Sequence, residues 1–401
     1  MTEPAPAEPA SGASAIAVPG ALSRAFPWVI GSLIAVHACM AVTRVAASLW
    51  VLREGYGEWA VGVLLSLFAV APIALALWAG RLADRHGFHR PVGLGVAMAL
   101  GGALVAWASM QLWAIGLSSL LSGGAVAVAA VAIQREAGLM AADPSELKKV
   151  FSWVALGPAL SNAIAPVMTG LLIDHAGFRW AFALAVALPV LAWWIARQVP
   201  RHVPVQHAGA ARQRPAWALL KQPALRRLLL VNIVLSACWD AHSFVVPVVG
   251  HGKGLSASSI GLVLASFAVA ATCVRLGIVR WGESLDELRA LRWAMGLATL
   301  MLAVYAWLPG TPGLMFGSAL LGLALGSVQP MVLSMLHRVT PHEAHGQALG
   351  LRMLMVNAAT VSMPTGFGLL AAATLNAAPL WLMAVLLGAA QWLARGIRVK
   401  T

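Results

Sequence analysis

The chain is divided along most of its length into apolar blocks of about twenty residues, the length of helix that crosses roughly 30 Å of hydrocarbon. Inside a bilayer every backbone N–H and C=O must be satisfied within the protein, so only helices and closed barrels can span it. Barrel strands would read as short alternating segments, and these runs do not alternate. The fold class expected is therefore an all-α membrane protein. The composition agrees: 60% of residues are hydrophobic and 10% charged, against about a quarter charged in soluble domains.

Twelve spans can be drawn, near 28–51, 59–79, 91–111, 113–133, 151–173, 178–197, 227–249, 258–277, 292–309, 312–336, 347–372 and 376–395. An even number puts both termini on one side. With that side cytoplasmic, 22 of the 27 Lys and Arg residues fall inside, and only Arg53, Arg179 and Lys253 fall outside. The excess of cations in cytoplasmic loops fixes this orientation. The expected location is a bacterial cytoplasmic (inner) membrane, multi-pass, with both termini cytoplasmic. Residues 1–27 are rich in Ala, Pro, Ser and Gly, without the basic start and apolar core of a signal peptide. They read as a disordered cytoplasmic tail.

The net charge of +13 does not indicate nucleic acid, because the cations sit in short clusters between apolar runs. Cys39, Cys238 and Cys273 fall inside spans and read as small buried hydrophobes. No phosphate-binding loop, metal-ligand spacing or catalytic constellation is present in the sequence. The chain reads as a non-enzyme without metal or cofactor, functional as a monomer.

The two halves repeat. "VGVLLSLFAVA" (61–71) and "IGLVLASFAVA" (260–270) match at an offset of 199 in Gly62/Gly261, Leu65/Leu264, Phe68/Phe267 and the three residues that follow. The same offset aligns Ala38–Cys39 with Ala237–Cys238 and Arg81 with Arg280. "PVMTG" (166–170) and "PTGFG" (364–368) share a Pro-x-x-x-Gly spacing at an offset of 198. A shift of six spans makes these parallel repeats. Six-helix bundles are expected over 28–197 and 227–396, joined by a basic cytoplasmic linker at 198–226 and followed by a short cytoplasmic tail at 397–401.

This plan resembles the major facilitator superfamily. The family's loop between spans two and three reads G-x-x-x-D-R/K-x-G-R-R/K. Here Gly80, Asp84, Arg85 and Gly87 match, Phe88 and His89 replace the usual pair of cations, and Arg90 follows one place later. "APVMTGLLIDHAGFRWAF" (165–182) is similar to the family's end of span five and start of span six. The exporter signature Gly-Pro-x-x-Gly-Gly is reduced there to Ala165–Pro166 and Thr169–Gly170. The span-four arginine usual in proton-linked exporters is replaced by Ser119. The resemblance implies a fold of two pseudo-symmetric six-helix bundles that alternate access to a central cavity. It also implies a cytoplasmic gate in which Asp84 meets the start of span eleven, near Gly346–Gln347. A carboxylate there is stabilised by unpaired helix N–H groups. Arg85 and Arg90 are expected to pair with Glu136.

Of the fourteen acids only Asp240 lies well within a span. Such a residue costs about 2.5–3.5 kcal/mol to insert and tends to be functional. His37, Ala41 and Arg44 share one helix face in span one; their counterparts at the offset of 199 are Ser236, Asp240 and Ser243. Arg44 and Asp240 are thus expected on corresponding faces of the first helix of each half, in the wet seam between them. Asp240 is the leading proton-coupling residue, with His37 second on the same stripe as Arg44. Burial and a neighbouring cation act in opposite directions on a carboxylate's charge, so a change of access can load and release a proton. Arg44 has two readings, a grip on an anionic substrate or a structural partner of Asp240. Trp239, Asn162, Gln329 and Asn357 complete the expected substrate-binding set, with His242 ranked lower at about 200° from Asp240.

The function expected is secondary active transport of a small, partly apolar molecule, as proton-coupled efflux. Proton-coupled uptake of an organic anion is the alternative within that class. A non-transporting membrane sensor or scaffold is the alternative outside it.

Overall fold

The computed structural model describes residues 21–140, 144–201, 216–281, 286–340 and 345–395. They form twelve long helices: α1 (Ala21–Arg53), α2 (Glu58–His86), α3 (His89–Ser109), α4 (Leu112–Leu139), α5 (Pro144–Ala176) and α6 (Phe178–Ala196), then α7 (Pro223–Gly252), α8 (Ala257–Trp281), α9 (Glu287–Val304), α10 (Gly310–Val339), α11 (His345–Ala373) and α12 (Ala378–Arg395). No strand occurs among the described residues, and all twelve helices are long and apolar enough to cross a membrane.

Several helices outrun the apolar blocks. α1 begins at Ala21, so the expected tail over 1–27 overlaps a helix, and Pro27 sits inside that helix instead of starting it. α7 begins at Pro223 behind a short 3-10 turn at Ala216–Lys221, within the stretch read as linker. Hydropathy marks the lipid-crossing length, whereas helix ends follow backbone pairing. Residues 1–20, 202–215 and 396–401 lie outside the described residues.

Helices α1–α6 pack mainly on one another, as do α7–α12. In each bundle the first helix occupies the interior; α1 touches α4, α5 and α6, and α7 touches α10, α11 and α12. The largest contacts between bundles are α5 with α8 and α2 with α11. We call the end where α1 begins and α12 ends basal, and the other end distal. The three distal cations are all engaged. Arg53 lies over the Phe178 ring at 5.7 Å, Arg179 over Trp107 at 5.2 Å, and Lys253 Nζ donates to the Leu308 carbonyl at 3.0 Å.

The distal end is closed by two seams built from the repeated motifs. At the α2–α11 seam, a methyl group on Gly62 would meet the Pro364 carbonyl oxygen at 2.3 Å, and one on Gly368 would meet the Glu58 carbonyl at 2.8 Å. At the α5–α8 seam, a methyl on Gly261 would meet the Pro166 carbonyl at 2.3 Å, and one on Gly170 the Ala257 carbonyl at 2.4 Å. Lipid gives no hydrophobic drive for helices to associate, so close packing through small residues has to hold such seams together. Ser66 and Thr365 lock the first seam with a hydroxyl–hydroxyl bond of 2.7 Å, and the Thr365 N–H also donates to Ser66 Oγ. Nearer the base, α1, α5 and α8 leave an apolar groove of about 310 Å³, lined in part by Ile34, Gly157, Leu160 and Val269.

Side chains at Gly62 or Gly261 overpack the seam, at about 1–3 kcal/mol. Gly261→Leu is expected to lower cross-linking of a Ser66→Cys/Thr365→Cys pair at the opposite seam at least severalfold. Quantitative cross-linking in membranes, with protein level as control, checks this.

Candidate functional site

Between the bundles, basal to the seams, lies a cavity of about 80 Å³. Its walls come from α1 (Ala41, Arg44, Val45, Ser48), α5 (Asn162, Pro166), α7 (Trp239, His242, Ser243, Pro247) and α8 (Leu264, Phe267, Ala268). The α1 residues follow i, i+3, i+4, i+7 spacing, one face of a helix. At the offset of 199, Arg44 corresponds to Ser243 and Ser48 to Pro247, so equivalent faces of α1 and α7 meet at the cavity. Pro166 lacks the N–H that would bond the Asn162 carbonyl, and Pro364 likewise leaves the Thr360 carbonyl without its helix partner.

Arg44 is half-buried in this wall. Among the described residues its guanidinium has no hydrogen-bond acceptor and no salt bridge, and the charge acting on it is that of Asp240. Asp240 is 6% exposed and does not line the cavity itself. It stands one residue round the helix from Trp239, facing Arg44 electrostatically across the interface and interacting with the Thr360 side chain of α11. Its Oδ2 is buried with no hydrogen-bond partner among the described residues. A buried carboxylate oxygen without a donor is costly while the group is charged.

The aromatic side of the cavity is linked by ring contacts and hydrogen bonds. Trp239 meets Phe267 edge-on at 4.5 Å, and His242 stacks on Phe267 at 4.3 Å. His242 Nε2 pairs with Ser318 Oγ at 2.9 Å, and the Tyr305 hydroxyl pairs with the same Ser318 at 2.6 Å. Behind Trp239, the Arg275 guanidinium lies 5.7 Å from the ring and donates from Nε to the Gly326 carbonyl at 3.2 Å.

Of the residues expected to bind substrate, Arg44, Trp239 and Asn162 meet in one cavity, with Asp240 just behind its wall. Gln329 is exposed on α10 and Asn357 half-buried on α11; neither lines the cavity. His37 is half-buried, with Nδ1 paired to the Leu33 carbonyl of its own helix at 3.2 Å, outside the cavity wall. His242, Ser48 and Phe267 are the additions. His242 lines the α7 wall with Trp239, Ser243 and Pro247, whereas Asp240 lies behind that wall, so an angle taken from Asp240 does not place it. Phe267 belongs to the repeated motif at 260–270.

At the base, Arg85 and Arg90 are exposed and Glu136 is buried at 4%. Among the described residues neither arginine forms a salt bridge with Glu136. Gly80 has open space where a side chain would stand, and Gly87 breaks the chain between α2 and α3 with φ +67°. The side chains of Asp84 and Gln347 lie outside the described residues.

A cavity between two parallel six-helix bundles, sealed at one end and carrying intramembrane charge, is the architecture of a membrane transporter. The comparisons with known proteins agree. The Major Facilitator Superfamily profile matches residues 29–316 and 228–399. The tetracycline resistance protein, class G, of Vibrio anguillarum is 26% identical over 343 residues, covering 81% of this chain and 84% of that protein. A probable sugar efflux transporter of Pasteurella multocida is 26% identical over 180 residues, covering 43% of this chain and 44% of its own. The fold is shared with a bacterial homologue of the iron transporter ferroportin solved in an inward-facing state, at a TM-score of 0.70 and 14% identity over 92% of this chain and 99% of that one. The chain is a multi-pass membrane transporter and belongs to the Major Facilitator Superfamily.

Proposed function

We propose that the protein is a proton-coupled exporter of small, partly apolar molecules, with Asp240 as the residue that takes up and releases the proton. The observation that carries this reading is the buried Asp240 carboxylate, one oxygen of which has no donor while Arg44 faces it across the interface of the halves. Such a group is stable in two ways, protonated or opposite a cation. A change in the distance between α1 and α7 exchanges one for the other, and that exchange is the coupling. Substrate in the cavity competes for the same cation. The efflux direction draws on the relatives, two of which are named for tetracycline resistance and sugar efflux. Tetracyclines and small sugars are therefore the first compounds to test. With the loops rich in Lys and Arg on the cytoplasmic side, the sealed distal end faces outward.

A second reading, uptake of an organic anion, is favoured by one observation. Arg44 presents a guanidinium inside the membrane with no acceptor of its own among the described residues. A carboxylate or phosphate on the substrate would supply one in a bidentate pair.

In inverted membrane vesicles holding the wild-type protein, adding a transported compound is expected to release protons from the acidified lumen. Asp240→Asn is expected to abolish that proton movement while leaving exchange of labelled for unlabelled compound intact. A pH-sensitive dye and counterflow measure the two; proton release at the wild-type rate in this variant would sink the coupling assignment. Arg44→Ala is expected to weaken binding of an anionic compound about tenfold or more, from the lost charge-assisted bond. It should leave binding of a neutral compound within about threefold, as read by ligand-dependent thermal shift. Equal losses for both compounds would assign Arg44 to the structural pair.

A further inference from the structure

The start of α8 is finished by the other half of the molecule. The N–H groups of its first three residues, Ala257, Ser258 and Ser259, have no acceptor within the helix and need one outside it. Ile260 N–H makes the first helical bond, to the Ser256 carbonyl at 3.1 Å, and Ser259 N–H finds Ser256 Oγ at 3.2 Å. The remaining two, Ala257 and Ser258, donate to Asp174 Oδ1 at 3.0 Å and Oδ2 at 2.8 Å. Asp174 lies at the end of α5, in the opposite bundle. Gly170, one turn earlier, is what lets α5 come this close, since a methyl there would stand 2.6 Å from Ser258 Cα.

The segment around Asp174 repeats the loop between α2 and α3. Gly170-x-x-x-Asp174-x-x-Gly177 has the spacing of Gly80-x-x-x-Asp84-x-x-Gly87. The backbone repeats it too: Gly177 has φ +88° and Gly87 φ +67°, and each is the break between two consecutive helices. One copy stands at the basal end and the other at the distal end. The seam between α2 and α11 has no equivalent clamp. The residue in α11 corresponding to Asp174 is Ala372, and α2 begins behind Gly57 with no side-chain cap.

We propose that Asp174 is the latch of the distal gate, a second gating carboxylate that holds the bundles together at that end and lets go when it opens. It is the distal counterpart of the role expected for Asp84 at the base, so the two acids engage in alternate states of the cycle. Opening the distal end returns Ala257 and Ser258 N–H to water, at the cost of a charge-assisted cap. The latch is independent of which substrate or coupling ion is used.

The test is a distance measurement on the full-length protein without substrate. Spin labels at Tyr56→Cys and Leu375→Cys report the separation of the bundles at the distal end, at exposed sites away from Asp174. Asp174→Ala is expected to shift the ratio of closed to open distances by about tenfold toward open. Asp174→Asn, which keeps one acceptor oxygen at the same volume, is expected to fall between Ala and wild type. Asp84→Ala is expected to shift the ratio the opposite way. An unchanged distance distribution in both Asp174 variants overturns the latch. So does a lower melting temperature without a distance change, which would make Asp174 a plain helix cap, and so does a shift in the same direction from Asp84→Ala. Because no substrate or proton gradient enters, a failed latch is distinguishable from a failed coupling assignment.

Discussion

Backbone must touch backbone where the two bundles meet. At Gly62, Gly170, Gly261 and Gly368 the facing chain lies where a side chain's first carbon would be. Helices in lipid gain little from burying apolar surface against each other, so contact density and a few polar bonds hold them together. Removing four side chains at two narrow seams concentrates that contact at one end. It also leaves the rest of the interface loose enough to contain a cavity and an apolar groove. Closure at the distal end and space below it are two results of one packing choice.

The charges sit where that choice makes room. Arg44 and Asp240 are on α1 and α7, the helices at the centre of their bundles, below the seams. A charge there is set against the opposite bundle, and its energy depends on what that bundle places opposite it. Intramembrane ionisable groups are expensive wherever they stand. Placing one on each side of the interface makes each the other's electrostatic counterpart.

Much of the architecture is legible in the sequence because it is set by local chemistry. Apolar length marks the twelve spans, and the offset of 199 marks the halves. The same offset picks out Gly62 and Gly261, yet nothing local says why they are glycines, since each is explained by a carbonyl in the other bundle. Asp174 is hidden for the same reason: its partners are 83 and 84 residues away, and an acid at a helix end reads as ordinary surface. The cavity is legible in part. Arg44 stands out as a cation in a span, whereas Gln329 and Asn357 have the same polar character as Asn162 and do not line it. Residue type tells that a polar group needs a partner; helix rotation tells which side the partner is on, and a few residues' error in a helix's phase loses that. Helix ends at Ala21 and Pro223 are not legible, because hydropathy does not track backbone pairing outside the apolar layer.

The two seams pair reciprocally. The second helix of the first half meets the fifth helix of the second half, and the second helix of the second half meets the fifth of the first. Patch i on one unit against patch j on the other, and j against i, is the pattern of an isologous twofold dimer. The two halves thus dock in the pattern of a twofold pair of six-helix subunits. Covalent fusion removes the requirement that both subunits be the same. Arg44 faces Ser243 in the alignment, Asp240 faces Ala41, and Asp174 faces Ala372. None of these three differences is available to a homodimer, in which every cation or acid would appear twice, once on each side of the axis.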